Sequence, residues 1–214
     1  MEVKAALTRS EIKILTGHNR FEYENCADGE YIFNSSKIYG LIGAKGSGNT
    51  ALPYLLTGWS KADSISITID GRSVSPKEMR NISCYIGHQH YYDIFPFHKN
   101  LTVKKAIENG IKKSHNSSQT FQTIKERFSL TDERENRRFK YIGNEHWRAS
   151  LAIGYAHGKT VYCAGFLDSA MWEKYYSIML ERWLNVLKDD GAIVLIPTDD
   201  EKCFGDFFDE TYYF

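Results

Sequence analysis

The sequence predicts an α/β fold in which a mostly helical segment near residues 90–157 interrupts an alternation of strands and helices. Three observations carry this prediction. Short apolar runs of strand length recur along the chain, segments with helical periodicity lie between them, and a glycine-rich loop joins one such run to a helix. Strands that alternate with helices favour a sheet covered by helices.

The first ninety residues contain most of the expected strands. Short apolar runs bounded by turn residues lie at 12–15, 31–33, 38–42, 64–69 and 82–87. Asp70-Gly71 is typical of a tight turn between two strands. A helix is expected after the glycine loop, as far as Leu56.

The second half of the chain is richer in helical patterns. Helices are expected at residues 103 to about 128, with a break near 115–118, and at 145–157 and 170–188. Strands are expected at 160–164 and 192–196, the second of them buried on both faces. These strands return the chain to the sheet after the helical segment.

Composition bounds the class of protein. The chain has 214 residues, and 27 Lys+Arg balance 27 Asp+Glu, so the formal net charge is +0. This balance argues against a nucleic-acid partner, because phosphate binding needs a basic surplus. No run approaches the ~18 apolar residues of a membrane span, and Met1 to Ala6 is not followed by the apolar core expected of a signal peptide. Four scattered cysteines fit a reduced compartment. We therefore expect a cytoplasmic protein that forms a single domain over residues 1–214.

The glycine-rich loop carries the clearest chemical signal. It reads Gly43-Ala44-Lys45-Gly46-Ser47-Gly48-Asn49-Thr50. Glycines let backbone N–H groups point inward as an anion nest, and the following helix adds positive potential. In phosphate-binding loops a lysine after the last glycine reaches the β- and γ-phosphates, and the next Ser or Thr binds Mg²⁺. Here Asn49 replaces the lysine, and Thr50 is a weak magnesium candidate. Alone, the octet also fits a glycine turn that never meets phosphate.

The motifs around the loop keep the order and spacing of one family. They read Tyr39-Gly40-Leu41-Ile42, Leu55-Leu56-Thr57-Gly58, Ile67-Thr68-Ile69-Asp70-Gly71, Gln89, Phe95-Pro96-Phe97 and Leu101-Thr102-Val103. Together they resemble the nucleotide-binding subunits of ABC transporters over nearly the whole chain. The resemblance implies a P-loop fold of ABC-ATPase type. Its mixed core sheet would have an antiparallel β part, and its helical subdomain would cover about 90–157.

Other family motifs match in position and differ in residue type. The segment at the family's signature position reads Tyr141-Ile142-Gly143-Asn144-Glu145. The run at 160–163 resembles the Walker B strand, so the metal-binding Asp falls on Ala164 and the catalytic Glu on Gly165. The switch His falls on Asp199. A register slip of one or two residues would instead bring Asp168 near the Walker B position.

These departures predict the loss of catalysis. Asn49 carries no charge, and Ala164 and Gly165 have no side-chain oxygen. Asp199 would repel the γ-phosphate that a histidine contacts. We therefore expect a catalytically inactive homologue, which is not an enzyme.

The expected loss of catalysis does not imply a loss of nucleotide binding, because the loop keeps the glycines that form the backbone anion nest. The residues expected to surround the phosphates and Mg²⁺ are Gly43, Lys45, Gly46, Ser47, Gly48, Asn49, Thr50 and Gln89. No cofactor is expected with certainty, and binding of ATP and Mg²⁺ is expected to be weak or absent. Lys45 is a candidate to replace part of the missing charge, although a solvated loop lysine is the simpler reading.

The resemblance also implies partners. Gln89, Phe95 and Phe97 would contact a transmembrane permease, and the subunit would form a homodimer or a heterodimer with another ABC ATPase. The expected place is the inner face of the cell membrane, and the expected role is structural or regulatory, with peptide or drug export suggested by the breadth of the family. Two alternatives remain. One is an ATPase with relocated catalytic groups, Lys45 with Asp168 or Asp199, and the other is a soluble interaction module without a membrane partner.

Overall fold

The fold is taken from a computed structural model of the chain, which describes residues 1–15, 21–59, 63–87, 101–114 and 118–214. The chain forms two compact units. The first joins Met1–Tyr85 to Thr160–Phe214, and the second is Ile86–Lys159. No helix within the described ranges is both long and apolar enough to cross a membrane.

The strands of the described residues all belong to the first unit. They are β1 (Glu2–Leu7), β2 (Ser10–Leu15), β3 (Phe21–Cys26), β4 (Gly29–Asn34), β5 (Lys37–Ile42), β6 (Ile65–Ile69), β7 (Arg72–Ser73), β8 (Ser83–Tyr85), β9 (Val161–Cys163), β10 (Ile193–Thr198) and β11 (Glu210–Tyr213).

The strands build three sheets of different character. A parallel sheet has the order β11-β5-β10-β9-β8, and an antiparallel sheet has the order β4-β1-β6-β7. Strands β2 and β3 form a separate antiparallel hairpin. Strand β10 is buried along its whole length in the parallel sheet, which is why it reads as an unbroken apolar run in the sequence.

The helices divide between the two units. The described α-helices are α1 (Ala51–Leu56), α2 (Pro76–Ile82), α3 (Val103–Ser114), α4 (Phe121–Arg127), α5 (Asp132–Glu135), α6 (His146–Ala156), α7 (Ser169–Met171) and α8 (Arg182–Asp189). The π-helical segment Trp172–Glu181 joins α7 to α8. Short 3₁₀ turns lie at Phe139–Tyr141, Gly143–Glu145 and Lys202–Phe207.

Local sequence explains where several helices begin. Helix α2 starts at a capping box, because the Ser75 hydroxyl accepts from the Glu78 N–H and the Glu78 carboxylate accepts from the Ser75 N–H. Helix α4 starts in the same way, at Thr120 with Thr123. The helix expected over 170–188 is formed, but its middle is wound as π-helix, which apolar periodicity does not reveal.

The predicted α/β class is confirmed, and the main core lies in the first unit. Side chains from all three sheets and from α1 pack together there, among them the fully buried Phe33, Tyr39, Leu52 and Leu195. The second unit has its own helical packing, in which α3 and α6 are in contact. The glycine-rich loop belongs to the first unit.

Candidate functional site

The loop at residues 43–50 lies between β5 and α1, as the sequence predicts. Its first residue is fixed to the next strand of the sheet, because the Gly43 N–H donates to the Thr198 carbonyl at 2.9 Å. Gly46 and Gly48 have φ angles of +94° and +100°, which residues with a side chain rarely adopt. The sequence therefore forms the strand–loop–helix arrangement that presents backbone N–H groups to an anion.

Asn49, which stands where the family has its lysine, is fully buried. Its Nδ2 lies 3.1 Å from the Leu41 carbonyl oxygen, 2.9 Å from that of Gly43 and 3.1 Å from that of Thr198. Since these three neighbours are all hydrogen-bond acceptors, the side-chain atom that faces them must be the amide nitrogen and not the amide oxygen. The Asn49 amide thus fixes the loop to the ends of β5 and β10.

The other loop side chains also contact the protein itself. The buried Thr50 donates its hydroxyl hydrogen to Asn49 Oδ1 at 3.3 Å, which leaves the lone pairs of Thr50 Oγ1 for a cation. Lys45 Nζ lies 3.1 Å from Glu22 Oε2 at an exposed position. The Ser47 hydroxyl is buried and has no hydrogen-bond partner in the described part of the chain.

The Glu24 carboxylate lies against the loop, although no sequence motif points to this residue. Its Oε1 accepts from the Gly46 N–H at 3.2 Å and its Oε2 from the Gly48 N–H at 3.0 Å. The Thr50 N–H also stabilises the charged form. Burial nevertheless raises the pKa of Glu24, and the nearby Glu22 charge adds to the rise. Alternation along β3 gives Glu22 and Glu24 the same face, but only the packing of the hairpin shows which loop that face meets.

The end of β9, where the sequence predicts the Walker B position, holds no carboxylate at residues 164 and 165. Ala164, directly after β9, is buried, and its N–H donates to the Leu195 carbonyl at 2.9 Å. Gly165 follows without a side chain. Asp168 caps α7, where its Oδ1 accepts from the Met171 N–H at 3.2 Å. Asp168 is therefore engaged in holding a helix start.

Asp199 follows β10 and lies next to the residue that anchors the loop. Its Oδ1 accepts from the Ser169 N–H at 2.8 Å and from the Thr198 hydroxyl at 3.2 Å. Burial opposes ionisation, but hydrogen bonds from the Ser169 N–H and hydroxyl outweigh it and lower the pKa of Asp199. The group is an ionised carboxylate at neutral pH.

The signature-like segment lies in the second unit, directly before α6. Tyr141 is exposed, Ile142 is buried and Gly143 has a φ of +60°. The Arg134 guanidinium donates to the Ile142 carbonyl oxygen and to Asn144 Oδ1. Glu145 is buried and pairs with Arg148, Oε1 to Nη2, at 3.2 Å.

The remaining predicted residues are not placed. Gln89, Phe95 and Phe97 lie outside the described residues. Among the residues that the structure does describe, no group of three or more His, Cys, Asp and Glu side chains is arranged to hold a metal ion.

Comparison with known proteins defines the class. A family model described as "ABC transporter" matches residues 28–164, which is more than half of the chain. The protein belongs to this family, as an ATP-binding subunit of a transporter. The family binds ATP with Mg²⁺, and its ATP-binding subunits dimerise and work with transmembrane permeases.

The individual relatives are distant. The chain is 25% identical over 177 residues to the lipoprotein-releasing system ATP-binding protein LolD of Porphyromonas gingivalis, covering 78% of each protein. It is 26% identical over 181 residues to the syringafactin export ATP-binding/permease protein SyfD of Pseudomonas syringae, covering 79% of this chain and 27% of that one.

Solved structures support the fold. The dimeric bacterial ABC transporter cassette MJ0796 superposes with a TM-score of 0.66 at 14% identity, over 98% of this chain and 93% of that one. The ATP-binding cassette MJ1267 gives a TM-score of 0.66 at 14% identity, over 100% and 87% of the two chains. The predicted P-loop fold of ABC-ATPase type, with parallel and antiparallel sheets, is confirmed.

Family membership corrects one prediction. The substitutions at Asn49, Ala164 and Gly165 predict a protein that is not an enzyme, and this prediction is wrong, because the relatives are ABC ATPases and the family is one that hydrolyses ATP. The prediction went wrong because the family motifs describe only one set of catalytic groups. Losing that set does not remove the backbone donors of the loop or carboxylates that the fold supplies elsewhere.

Proposed function

We propose that this chain is an ATP-hydrolysing subunit that drives a permease in the export or release of a peptide- or lipoprotein-type cargo. One observation carries the ATP site. The backbone N–H groups of Gly46, Gly48 and Thr50 converge on a single carboxylate, so the loop is built to hold an anion without the family's lysine. The names of the relatives, lipoprotein release and syringafactin export, support the cargo class.

In this proposal the phosphates are held mainly by backbone. The residues that would surround the phosphates are Gly43, Lys45, Gly46, Ser47, Gly48, Asn49 and Thr50. Lys45 contributes charge only when it leaves Glu22. The Thr50 hydroxyl, with Gln89, would hold Mg²⁺, which when bound neutralises charge on the phosphates. The lone pairs of Thr50 Oγ1 fit that role.

We favour Asp199 over Asp168 as the relocated carboxylate. One oxygen of each carboxylate is engaged, since Asp168 Oδ1 accepts from the Met171 N–H and Asp199 Oδ1 from the Ser169 N–H, so the choice rests on position relative to the loop. Asp199 follows Thr198, whose carbonyl binds both the Gly43 N–H and the Asn49 amide. Its lowered pKa keeps it ionised. Because a lowered pKa also makes it a weak base, the role that fits Asp199 is to orient water by accepting a hydrogen bond.

Phosphate release tests the catalytic part. Purified protein with ATP is expected to release phosphate only when Mg²⁺ is present. Asp199→Asn is expected to lower kcat by about a hundredfold to a thousandfold, the range for loss of one group that acts on the transition state. Asp200→Asn makes the same charge change one residue further on and is the control. Equal kcat in both variants contradicts the role of Asp199.

The transporter part of the proposal concerns partners and place. The unit Ile86–Lys159, with Gln89, Phe95 and Phe97, would be the helical subdomain that contacts the permease at the cytoplasmic face of the membrane. A second copy of the chain, or another ABC ATPase, would receive the segment at 141–145.

Recruitment to membranes tests this part. With a co-expressed permease, the double variant Phe95→Asp, Phe97→Asp is expected to stay in the supernatant, while the wild-type protein sediments with membranes. Tyr23→Asp alters an exposed aromatic residue of the first unit and is the matched control. Unchanged sedimentation of the double variant contradicts the proposed surface.

A further inference from the structure

Glu24 is a buried acid that has no role in the proposed ATP hydrolysis. Both of its oxygens accept hydrogen bonds from the loop, one from the Gly46 N–H and one from the Gly48 N–H. Among the described residues, no Lys or Arg forms an ion pair with it, and Lys45 pairs with Glu22 instead. The loop N–H groups are therefore its principal compensation for burial.

Those N–H groups are the donors that a nucleotide phosphate needs. A carboxylate and a phosphate oxygen present the same negative charge and acceptor geometry to backbone amides. Two anions cannot share one set of donors, and like charges at such short distance repel strongly. A phosphate therefore reaches the Gly46 and Gly48 amides only when the Glu24 carboxylate has left them.

The backbone of β3 is attached to the loop as well. The Asn25 N–H donates to the Gly46 carbonyl at 3.1 Å. A Cβ on Gly48 would lie 2.9 Å from the Asn25 carbonyl oxygen and 3.1 Å from Cys26 Cα, so strand and loop are in direct contact. Within the described residues, the hairpin of β2 and β3 pairs with neither of the other sheets, so its movement breaks no hydrogen bonds to them. Its side chains Ile12, Ile14 and Cys26 belong to the main core, so the movement required is local to the contact with the loop.

We infer that Glu24 is an intrachain gate of the nucleotide site: its carboxylate occupies the anion nest in the absence of ATP, and ATP binds only when β3 withdraws it. This inference rests on the proposed function, since it regulates the same loop. Burial that raises the pKa of Glu24 is consistent with it, because a group held at an energetic cost is more easily displaced.

The size of the effect follows from the contacts. Hydrogen bonds to a charged group are the stronger kind. A gate held by such contacts reduces the open fraction, and apparent affinity falls by that fraction. Removing the charge is therefore expected to tighten ATP binding by about tenfold to a hundredfold.

Calorimetric titration with ATP and Mg²⁺ tests the gate on the full chain. Glu24→Gln keeps the side-chain shape and removes the charge, and it is expected to bind ATP at least about tenfold more tightly than the wild type. Glu11→Gln removes the same charge from an exposed position on β2 and is expected to match the wild type. Thermal unfolding of each variant checks that it is folded.

The outcomes separate the two proposals. If the wild-type protein and Glu24→Gln bind ATP equally, the gate is overturned and ATP binding stands. If neither binds ATP at millimolar concentration, both the ATP site and the gate are overturned. Tighter binding in Glu11→Gln as well would assign the effect to general charge and overturn the gate.

A measurement on the wild-type protein keeps the test independent of folding in the variant. Saturating ATP is expected to increase amide hydrogen exchange in β3 at Asn25, because its N–H loses the Gly46 carbonyl when the strand leaves the loop. Exchange in β1, which is part of another sheet, is expected to stay unchanged. Unchanged exchange in β3 when ATP is bound would overturn the inference.

Discussion

The buried amide of Asn49 provides the sharpest test of how this loop is held. The Asn49→Asp substitution keeps the shape of the side chain and replaces the donor by an acceptor. In the wild-type protein that donor meets the carbonyl oxygens of Leu41, Gly43 and Thr198 at 2.9–3.1 Å. The variant would place a carboxylate against these three oxygens at a site with no solvent exposure.

The magnitude follows from the partners. Thr198 keeps a second donor, the Gly43 N–H, so the principal losses are the bonds to Leu41 and Gly43. Two such bonds contribute about 2 kcal/mol, and an acceptor buried without a donor costs about 1–3 kcal/mol more. We expect Asn49→Asp to lower the free energy of unfolding by about 3 kcal/mol or more. For a chain of this length that corresponds to a fall in Tm of about 6–12 °C.

The loss of stability is measured by calorimetric melting of Asn49→Asp, of Asn49→Ala and of a control variant. Asn49→Ala, which removes the donor without adding a charge, is expected to fall between the wild type and Asn49→Asp. Asn81→Asp makes the same chemical change at an exposed position near the end of α2 and is expected to lower stability by less than about 1 kcal/mol, the range for a charge at a helix end. A Tm for Asn49→Asp equal to that of Asn81→Asp would refute the reasoning.

Three further predictions follow from the same region. Gly48→Ala should destabilise the fold more than Gly46→Ala, by at least about 1 kcal/mol in thermal unfolding. Both glycines have positive φ, but only a Cβ at Gly48 would meet the backbone of β3. Equal losses of stability would argue against this close contact. Because burial raises the pKa of Glu24, its contribution to stability is present below the unfolded pKa near 4.5 and is lost as pH rises through the folded pKa. When Tm is measured from pH 4 upward, the Tm of the wild type should therefore fall relative to that of Glu24→Gln. Parallel curves of Tm against pH would contradict the raised pKa. Lys45→Ala should weaken ATP binding by less than about threefold in a calorimetric titration, since Lys45 is exposed and paired with Glu22. A loss of affinity of tenfold or more would show that Lys45 contacts a phosphate directly.

Much of the fold could be predicted from sequence because its signals are local. The strand before the loop is an apolar run, and the loop needs glycine at φ angles near +100°, which the spacing of Gly46 and Gly48 reveals. Helix α6 was expected at 145–157 and is found at His146–Ala156, because helical periodicity is read within one element.

The site was less predictable because its decisive contacts are distant in sequence. Glu24 is 22 residues from Gly46, and only the docking of the hairpin brings them together. The Asn49 amide meets the Thr198 carbonyl across 149 residues of chain. A motif comparison marks Asn49 as a missing lysine, but it does not show that the residue has a structural task. The mistaken prediction of an inactive protein arose in the same way.

Titration of the wild-type protein with ATP, with and without Mg²⁺, while phosphate release is recorded in the same samples, tests the central claim most directly. We expect saturable binding and phosphate release that requires Mg²⁺, since the loop presents an anion nest in a family of ATPases. No binding heat and no phosphate release at millimolar ATP would contradict it.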